Sequence, residues 1–355
     1  SIAFLYLMVA KRLGKKPALL ASLFFGLLPF NIYYGRTILP DSSMVMAILG
    51  GIYFFDKWIE KSIKYWLPFV LAVIFTACAF LLKPYALFFT LPMIYAAFQQ
   101  WGIALIKKWQ LWLFVILTIA PLVAWRMWIS QYPEGIPASD WLFNANNIRF
   151  KGAFFQWIFA DRIGRLILGY WGLPLLVLGL IRKTTKEEGL FFFSFLASSL
   201  LYLFIIAGGN VQHDYYQILI IPTIAVFLAK GASFLANPPV TFSKTGCYIA
   251  LVICSLLMFA FGWFHIRDYF NINNPAIAEA GKKADEVLPM NAKIIAPYGG
   301  DTSFLYQTNR QGWPLVNAPI EDMIENGAEY LVIANPTQQD FDGFGRMFKL
   351  VAASE

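Results

Sequence analysis

The sequence has few charged residues and few of the residues that build redox or metal sites. Charged residues make up 14% of the 355 residues, whereas 59% are hydrophobic. Soluble domains contain about a quarter charged residues, so this deficit argues against an ordinary soluble protein. The three cysteines, Cys78, Cys247 and Cys254, fall inside apolar stretches without redox or metal-ligand spacing. We therefore predict a polytopic α-helical membrane protein whose cysteines are small buried hydrophobic residues.

Sequence motifs for nucleotide and nucleic-acid binding are also missing. There is no phosphate-binding loop, no dinucleotide fingerprint and no internal repeat, which argues against a nucleotide-hydrolysing transporter. Residues 1–264 contain 21 Lys and Arg against 9 Asp and Glu, whereas residues 265–355 contain 7 against 12. The basic excess therefore belongs to the apolar part of the chain, without a basic groove of interleaved aromatics. We predict no nucleic-acid partner.

The apolar residues are concentrated in runs that are long enough, or nearly so, to cross a bilayer core of about 30 Å. They predict about ten spans, at residues 1–10, 17–34, 43–59, 66–82, 85–99, 110–130, 163–181, 190–208, 217–235 and 246–264. Because residues 1–10 resemble the second half of a span, we expect further N-terminal residues, with at least one span and an outer loop, before Ser1. The transmembrane region is predicted to cover residues 1–264.

The loops between these runs form two sets that differ in basic residues. Thirteen Lys and Arg lie in the first set, residues 11–16, 57–64, 107–108, 182–186 and 236–245. Five lie in the second set, residues 35–42, 83–84, 131–162 and 209–216. Cytoplasmic loops carry the excess of basic residues, so the first set is predicted to be cytoplasmic and the second to lie on the outer face.

The pattern changes after about residue 265 and predicts a small soluble α/β domain over residues 265–355. Asn274-Pro275 begins a predicted helix that continues to about Glu286. Apolar runs at Lys293–Tyr298, Tyr330–Ala334 and Phe348–Ala352 predict strands, and Ile320–Asn326 predicts a helix that ends at Gly327. Alternating helices and strands are typical of a parallel sheet. Counting spans places this domain outside the cell membrane.

Polar residues at the ends of three predicted spans suggest one site on the outer face. Arg36 and Asp41 lie in the stretch Tyr33–Asp41, and Lys83 follows another span. Charges are costly near lipid and are usually kept for function. A carboxylate such as Asp41 can accept a proton from a hydroxyl group or bind a metal. Arg36 and Lys83 can hold phosphate oxygens.

The third group of polar residues is Gln212–Tyr216. His213 can donate to a phosphate or transfer protons, and Tyr215 and Tyr216 present aromatic faces with hydroxyl tips. Structural roles remain open for all of these residues: Arg36 and Lys83 as snorkelling side chains, the tyrosines as an interfacial belt, and Asp41 as the cap of a helix that begins at Ser42. Four further charges read as solvated loop charges, namely Asp140, Arg149, Asp161 and Asp214.

These motifs resemble those of a known enzyme superfamily. Tyr34-Gly35-Arg36 followed by Leu39-Pro40-Asp41 is similar to the second outer-loop motif of the membrane-embedded GT-C glycosyltransferases. Within that superfamily, the motif resembles most the branch related to protein O-mannosyltransferases and lipid A aminoarabinose transferases. Leu82-Lys83-Pro84 and His213–Tyr216 also resemble that branch. The similarity covers most of residues 1–235.

The resemblance implies an inverting transferase that moves a sugar from a polyprenyl-phosphate donor to an acceptor at the outer face of a bacterial plasma membrane. It implies that Asp41 is the second acidic position, on the metal or acceptor side, and that Lys83 contacts the donor phosphate. From the chemistry of their side chains, we expect Arg36, Tyr215 and Tyr216 to bind the same phosphate. The principal catalytic base would precede Ser1. A divalent metal at Asp41 is compatible with the resemblance, which identifies no acceptor.

Two other classes of function remain open. A transporter or flippase of a lipid or oligosaccharide typically shows paired repeats and spans broken near the bilayer midplane, whereas the polar groups here lie at span ends. A non-catalytic membrane assembly subunit is the third reading. The glycosyltransferase is the interpretation that accounts for the most residues.

Overall fold

The chain forms two compact units. The computed structural model describes residues 1–61, 65–133, 140–271, 274–345 and 347–353. The first unit, Ser1–Arg267, is helical, and we call it the helical unit. The second, Asp268–Glu355, contains the only β-sheet found among the described residues, and we call it the sheet unit.

The helical unit consists of fourteen α-helices in its described part, several of them extended by 3₁₀ or π turns. They are α1 (Ile2–Leu13), α2 (Lys15–Leu27), α3 (Pro29–Gly35), α4 (Asp41–Lys61), α5 (Trp66–Leu82), α6 (Leu91–Trp101), α7 (Trp109–Ile129), α8 (Asp140–Asn144), α9 (Gly152–Phe155), α10 (Leu173–Ile181), α11 (Phe191–Ile205), α12 (Ala207–Gln212), α13 (Ile221–Ala236) and α14 (Lys244–Ile266).

Several of these helices are long and apolar enough to cross a membrane. Among the described residues there are four such segments: Pro84–Lys107, Trp109–Ile129, Asp214–Ala236 and one that begins with α14. The pair α2 and α3, bent by 61°, makes a fifth if it is one span. An integral membrane protein is thus supported, but ten spans are not confirmed. Helices α5 and α11 are apolar but shorter than 18 residues.

Helix α13 forms the centre of the helical unit, with nearly all of its residues buried. It packs closely against α10 because two glycines face each other where the helices approach. A Cβ atom at Gly179 would lie 1.8 Å from the Phe227 carbonyl oxygen, and one at Gly231 would lie 1.9 Å from the Leu175 carbonyl oxygen. Small residues permit such backbone contact between helices in membranes, so larger side chains at these two positions would separate α10 from α13.

The expected span at residues 163–181 is not one helix. Its first part is the end of a π-helix, Gln156–Ile167, and its last part is α10. Between them the chain turns at Gly169 and Tyr170, which both have positive φ angles. A Cβ atom at Gly169 would lie 2.5 Å from the backbone nitrogen of Gly262 in α14, so only glycine fits this turn. The prediction failed because residues 163–181 contain no proline before Leu173 to mark the break.

The cysteines are less buried than predicted. Cys254 is buried, but Cys78 is exposed and Cys247 is half-buried. Cys78 lies on the outside of α5, in a helix whose outward side chains are apolar. The burial prediction is therefore wrong for Cys78, because an apolar span can present residues outside the protein as well as inside it.

Two buried ion pairs join helices of the helical unit near the predicted cytoplasmic loops. The Arg12 guanidinium donates to Asp56 at 2.8 Å and lies 3.3 Å from the centre of the Phe191 ring. Glu188, three residues before Phe191, forms the second pair: Lys230 Nζ lies 2.5 Å from Glu188 Oε1, and both side chains are buried. Charges removed from water in this way persist only when they are paired. These ion pairs join α1 to α4 and α13 to the segment before α11.

The sheet unit contains three parallel strands in the order β2-β1-β3. They are β1 (Lys293–Ile295), β2 (Gln311–Trp313) and β3 (Tyr330–Leu331). The helices are α15 (Pro275–Val287), α16 (Ser303–Gln307), α17 (Ile320–Glu325) and α18 (Gln338–Phe344). The predicted first helix is confirmed, and the Asn274 side chain accepts from the backbone nitrogen of Ala276 at its start. The parallel sheet is confirmed as well.

One predicted strand is wrong. Phe348–Ala352 forms no strand; instead Phe348 packs against the apolar cluster around Ile295. The third strand is β2, which has glycine at its centre and no β-branched residue. A Cβ atom at Gly312 would lie 1.7 Å from the Ile294 carbonyl oxygen. Close backbone approach therefore selects glycine here, which hid the strand from a pattern based on apolar residues.

Candidate functional site

An ion pair between Asp41 and Lys83 lies at the amino end of α4, whereas Asp56, which pairs with Arg12, lies near the other end of that helix. Asp41 is the first residue of α4 and is only 2% exposed. Lys83 Nζ donates to Asp41 Oδ1 at 2.9 Å and lies 2.8 Å from Oδ2. The amino end of a helix favours a negative charge, so α4 and Lys83 both present positive charge to the carboxylate. Asp41 is itself the first helical residue, so it is not the cap of a helix that begins at Ser42.

Lys83 also lies over two aromatic rings. Its ammonium is 5.1 Å from the centre of the Tyr215 ring and 4.7 Å from that of Tyr216. Tyr85, two residues after Lys83, contacts the Tyr216 ring with a centroid distance of 5.8 Å. Cation–π contacts at such distances attract a desolvated ammonium. The structure thus brings together four residues that the sequence analysis selected from three separate segments: Asp41, Lys83, Tyr215 and Tyr216.

Lys83 and His213 occupy equivalent positions in two copies of one local structure. Each is an extended residue, with φ and ψ of −153° and 124° for Lys83 and −123° and 118° for His213. Each is followed by a seven-residue 3₁₀ turn, Pro84–Thr90 or Asp214–Ile220. An α-helix with proline at its second position then follows. In both copies the chain leaves one helix, places a polar side chain at the break and enters the next helix.

His213 lies among aromatic rings beside Lys83. Its ring stacks on Tyr216 at 5.9 Å and contacts Tyr215 at 5.2 Å and Trp141 at 5.5 Å. Burial lowers the pKa of His213 below its usual value of 6.5; the Lys83 charge lowers it further, and the Asp214 charge acts in the opposite direction. The imidazole is therefore neutral at pH 7, with one nitrogen able to donate and the other able to accept.

Asp214 joins the first motif to the third. The Tyr34 hydroxyl donates a short hydrogen bond to its carboxylate. Tyr34 is buried at the end of α3, and its carbonyl oxygen accepts from the Thr37 hydroxyl at 2.8 Å. The interpretation of Asp214 as a solvated loop charge is wrong, because an aspartate next to a span end can turn inward when a tyrosine from another helix offers a donor.

Arg36 lies just beyond α3, where its backbone N–H donates to the Tyr33 carbonyl oxygen at 3.2 Å. The residue is exposed to the surroundings of the protein. Lys83, by contrast, is held at the buried Asp41 carboxylate. The two basic residues predicted for the donor phosphate therefore differ in setting: one is at the surface and one is paired inside.

Two arginines, Arg162 and Arg165, were missed by the sequence analysis. Arg162 is buried and donates to Asp161 at 2.8 Å and to the Val211 carbonyl oxygen at 3.1 Å. Arg165 donates to the same carboxylate at 2.6 Å. Asp161 is thus no solvated charge. The only signal in the sequence was the spacing Asp-Arg-x-x-Arg at the end of an uncharged stretch.

Arg149 is also engaged within the protein. It donates to the carbonyl oxygens of Phe143 and Ile205, each at 2.7 Å. Those contacts tie the segment after α8 to the end of α11, so the solvated reading is wrong here as well. Asp140, by contrast, is exposed at the start of α8, as that reading predicted.

A buried polar layer supports the turn that follows His213. The Tyr202 hydroxyl donates to the Tyr216 carbonyl oxygen at 3.1 Å. Gln217 Nε2 donates to the carbonyl oxygen and the side-chain oxygen of Asn210, at 3.0 and 2.8 Å. Backbone groups at a helix break need such partners when they are buried. This layer was not foreseen, because polar residues inside apolar runs carry no pattern of their own.

The arrangement does not favour a divalent metal at Asp41. Both of its carboxylate oxygens lie within 2.9 Å of the Lys83 ammonium. Among the described residues, no three His, Cys, Asp or Glu side chains converge on one point. A hard cation prefers several oxygen ligands, which this pair does not supply. The site is better suited to bind an anion that can share Lys83 with Asp41.

Comparison with known proteins gives a match to one protein family. Residues 1–128 match the family described as dolichyl-phosphate-mannose-protein mannosyltransferase. The match includes Asp41, Lys83 and Arg36 and ends before His213, Tyr215 and Tyr216. No curated protein sequence matches this chain. The match suggests a glycosyltransferase of the GT-C type, which uses a lipid-linked sugar in a membrane.

Proposed function

We propose that this protein transfers a sugar from a polyprenyl-phosphate donor to an acceptor at the outer face of a plasma membrane of the bacterial type. The observation that carries this proposal is the buried Asp41–Lys83 pair beside Tyr215 and Tyr216. A lysine held in a partly buried site can neutralise a phosphate that arrives through lipid. The family match over residues 1–128 supports the same chemistry.

In the proposed reaction, a hydroxyl group of the acceptor attacks the anomeric carbon of the sugar. The bond from that carbon to the phosphate oxygen breaks, and polyprenyl phosphate leaves with both electrons. Lys83 stabilises the charge that develops on the leaving phosphate, as a fixed donor does in a water-poor site. Tyr215 and Tyr216 hold the ammonium in place, and exposed Arg36 attracts the phosphate from the surface.

Asp41 and His213 are assigned to the acceptor side. The acceptor hydroxyl must lose a proton as the new bond forms, and a carboxylate or a neutral imidazole can receive it. The phosphate competes with Asp41 for Lys83, so donor binding loosens the ion pair and releases the Asp41 carboxylate toward the acceptor. The inverting outcome follows from attack opposite the leaving group.

The proposal is tested with the protein in liposomes and undecaprenyl-phosphate mannose radiolabelled in the sugar as the probe. Water serves as the default acceptor, and membrane extract supplies natural acceptors. We expect the label to move to water or to an acceptor while undecaprenyl phosphate accumulates. Lys83→Met should reduce this release at subsaturating donor, whereas Lys151→Met, at an exposed lysine, should leave it unchanged.

Two results would reject the proposal. If the intact donor crosses the bilayer without release of the sugar, the protein is a transporter. If the folded protein releases neither mannose nor any other sugar from the same polyprenyl-phosphate carrier, the protein is a non-catalytic subunit. A different preferred sugar would change the substrate and not the class.

A further inference from the structure

The segment 152–167 exposes three large aromatic residues and buries Arg162, the reverse of the pattern of a helix in water. It is four residues of α-helix followed by twelve of π-helix. Its buried stripe is Phe154, Ile158 and Arg162. Helices that face water place their charged residues outside and their apolar residues inside. The exposed side of this helix is therefore not suited to contact with water.

The exposed side carries three large aromatic residues. Phe155 is 52% exposed, Trp157 44% and Phe159 41%. The rings of Phe155 and Phe159 stack on each other, with centroids 6.2 Å apart. Residues 152–160 contain no charged side chain, and Gln156 is their one strongly polar residue. This surface is therefore apolar and rich in the ring types that accumulate at membrane interfaces.

The same surface continues onto a neighbouring helix. Phe204, exposed near the end of α11, contacts Phe150 at 6.3 Å and Phe154 at 6.1 Å between ring centres. Leu200 and Leu201 of α11 are also exposed. An apolar helix of this unit thus meets the segment 152–167 through ring contacts, and the Arg149 guanidinium lies 5.2 Å from the centre of the Phe204 ring at this junction.

We infer that the segment 152–167 lies in the membrane interface, with Phe155, Trp157 and Phe159 inserted at the boundary between headgroups and acyl chains. Amphipathic helices of this kind sit about 5–10 Å into that boundary. The partner is the lipid bilayer of the membrane in which the apolar helices lie. The segment is not a span, because Asp161, Arg162 and Arg165 occupy its second half and the chain turns at Gly169.

The buried side links this lipid contact to the candidate site. Arg162 donates to the carbonyl oxygen of Val211, two residues before His213. It also shares the carboxylate of Asp161 with Arg165. A segment anchored by its aromatic face thus holds the chain that carries His213. This inference concerns membrane placement and does not depend on the proposed transfer activity.

The test measures the membrane depth of spin labels on the full chain in vesicles of phosphatidylethanolamine and phosphatidylglycerol. The native cysteines are first replaced by serine. Single cysteines at exposed Ala153 and Ala160 leave the aromatic residues intact, and their nitroxide labels are compared for collision with oxygen and with a water-soluble nickel chelate. Val240, fully exposed in a loop, and Ile116, exposed in the middle of α7, provide the water and deep-lipid references.

We expect both labels to report a similar shallow depth, roughly 5–10 Å below the phosphates. Replacement of Phe155, Trp157 and Phe159 by serine should move the Ala160 label toward the value of the Val240 label. Labels at both positions as accessible to nickel as the Val240 label would overturn the inference. A depth at Ala160 equal to that of Ile116 would also overturn it, since the segment would then be part of a span.

Discussion

Lys83 and Asp41 are 42 positions apart in the chain and form a buried ion pair in the candidate site. The effect of replacing either residue cannot be interpreted by itself, because the other residue then remains as an unpaired buried charge. Breaking a buried pair costs about 3–5 kcal/mol when one charge remains. A loss of activity in a single variant therefore needs a measurement that separates chemistry from folding.

The first prediction concerns the Asp41 carboxylate. Asp41→Asn keeps the size of the side chain and removes its charge, so the transfer rate should fall about 100-fold or more if the carboxylate assists the acceptor. Donor affinity should not weaken, because Lys83 is then free for the phosphate. Single-turnover rates and donor titrations measure the two effects separately. Asp140→Asn, at an exposed aspartate, is the control; near-normal transfer by the Asp41 variant would leave the carboxylate a structural role only.

The second prediction concerns the Lys83 ammonium. Lys83→Met should weaken donor binding by about 1.5–3 kcal/mol, the scale of a hydrogen bond to a charged group. Lys83→Arg should retain part of the affinity, because a planar fork replaces a point charge. The double variant Lys83→Met with Asp41→Asn removes both charges and should recover thermal stability without recovering donor affinity. Equal donor affinity in wild type and Lys83→Met would exclude this lysine from the donor site.

The third prediction is a pH dependence that originates at His213. Its pKa is lowered from 6.5, chiefly by burial, so the neutral imidazole persists below pH 6.5. Protonation is penalised in the folded state; the contribution of this group to stability is therefore complete above pH 6.5 and declines as the pH falls below that value. The transfer rate should fall on the same acidic side. A pH–rate profile in which His213→Gln keeps the acidic limb of the wild type would assign that limb to another group.

The fourth prediction concerns the buried Glu188–Lys230 pair at the opposite end of the helical unit. Glu188→Gln leaves Lys230 charged and buried, so it should destabilise the folded protein by about 3–5 kcal/mol. Thermal unfolding in detergent measures this loss. The neighbouring exposed residue offers a matched control: Glu187→Gln should change stability by less than about 0.5 kcal/mol. Equal unfolding temperatures for the two variants would mean that water reaches Glu188.

The fifth prediction concerns orientation. With the native cysteines replaced, a cysteine at Lys108 or Lys186 should be shielded from an impermeant thiol reagent in intact cells, because basic loops stay in the cytoplasm. A cysteine at Lys151 or Ser303 should react. The sequence also predicts that a cysteine at Ser139, in the outer loop 131–162, reacts with the reagent; this position lies outside the described residues. Labelling of the Lys108→Cys variant from outside would reverse the orientation.

Much of the general architecture was readable from the sequence. The apolar runs indicated a membrane protein, and the positions of basic residues sorted the loops into two sets. Two loops of the second set contact each other in the structure through the ion pair of Asp41 with Lys83. These features follow from composition and local pattern, because every segment must satisfy the bilayer by its own hydrophobicity and its own backbone hydrogen bonds.

Other features depended on contacts between distant segments. The sequence selected Arg36 and Lys83 as equivalent phosphate ligands, but the structure leaves one exposed and pairs the other with Asp41. The sequence analysis did not select Arg162, because an arginine at a span end has the same local sequence pattern whether it faces water or a carboxylate. Burial and pairing depend on the approach of other helices.

The sequence by itself determined that this chain enters a membrane and carries a small parallel sheet after residue 265. Only the tertiary structure decided that Asp41 neutralises Lys83, that Tyr34 holds Asp214, and that Gly312 lies in a strand. Hydrophobicity acts on each segment separately and can be read along the chain. Ion pairs, hydrogen bonds and close backbone contacts need two segments at a distance of a few ångströms, which the order of residues does not show.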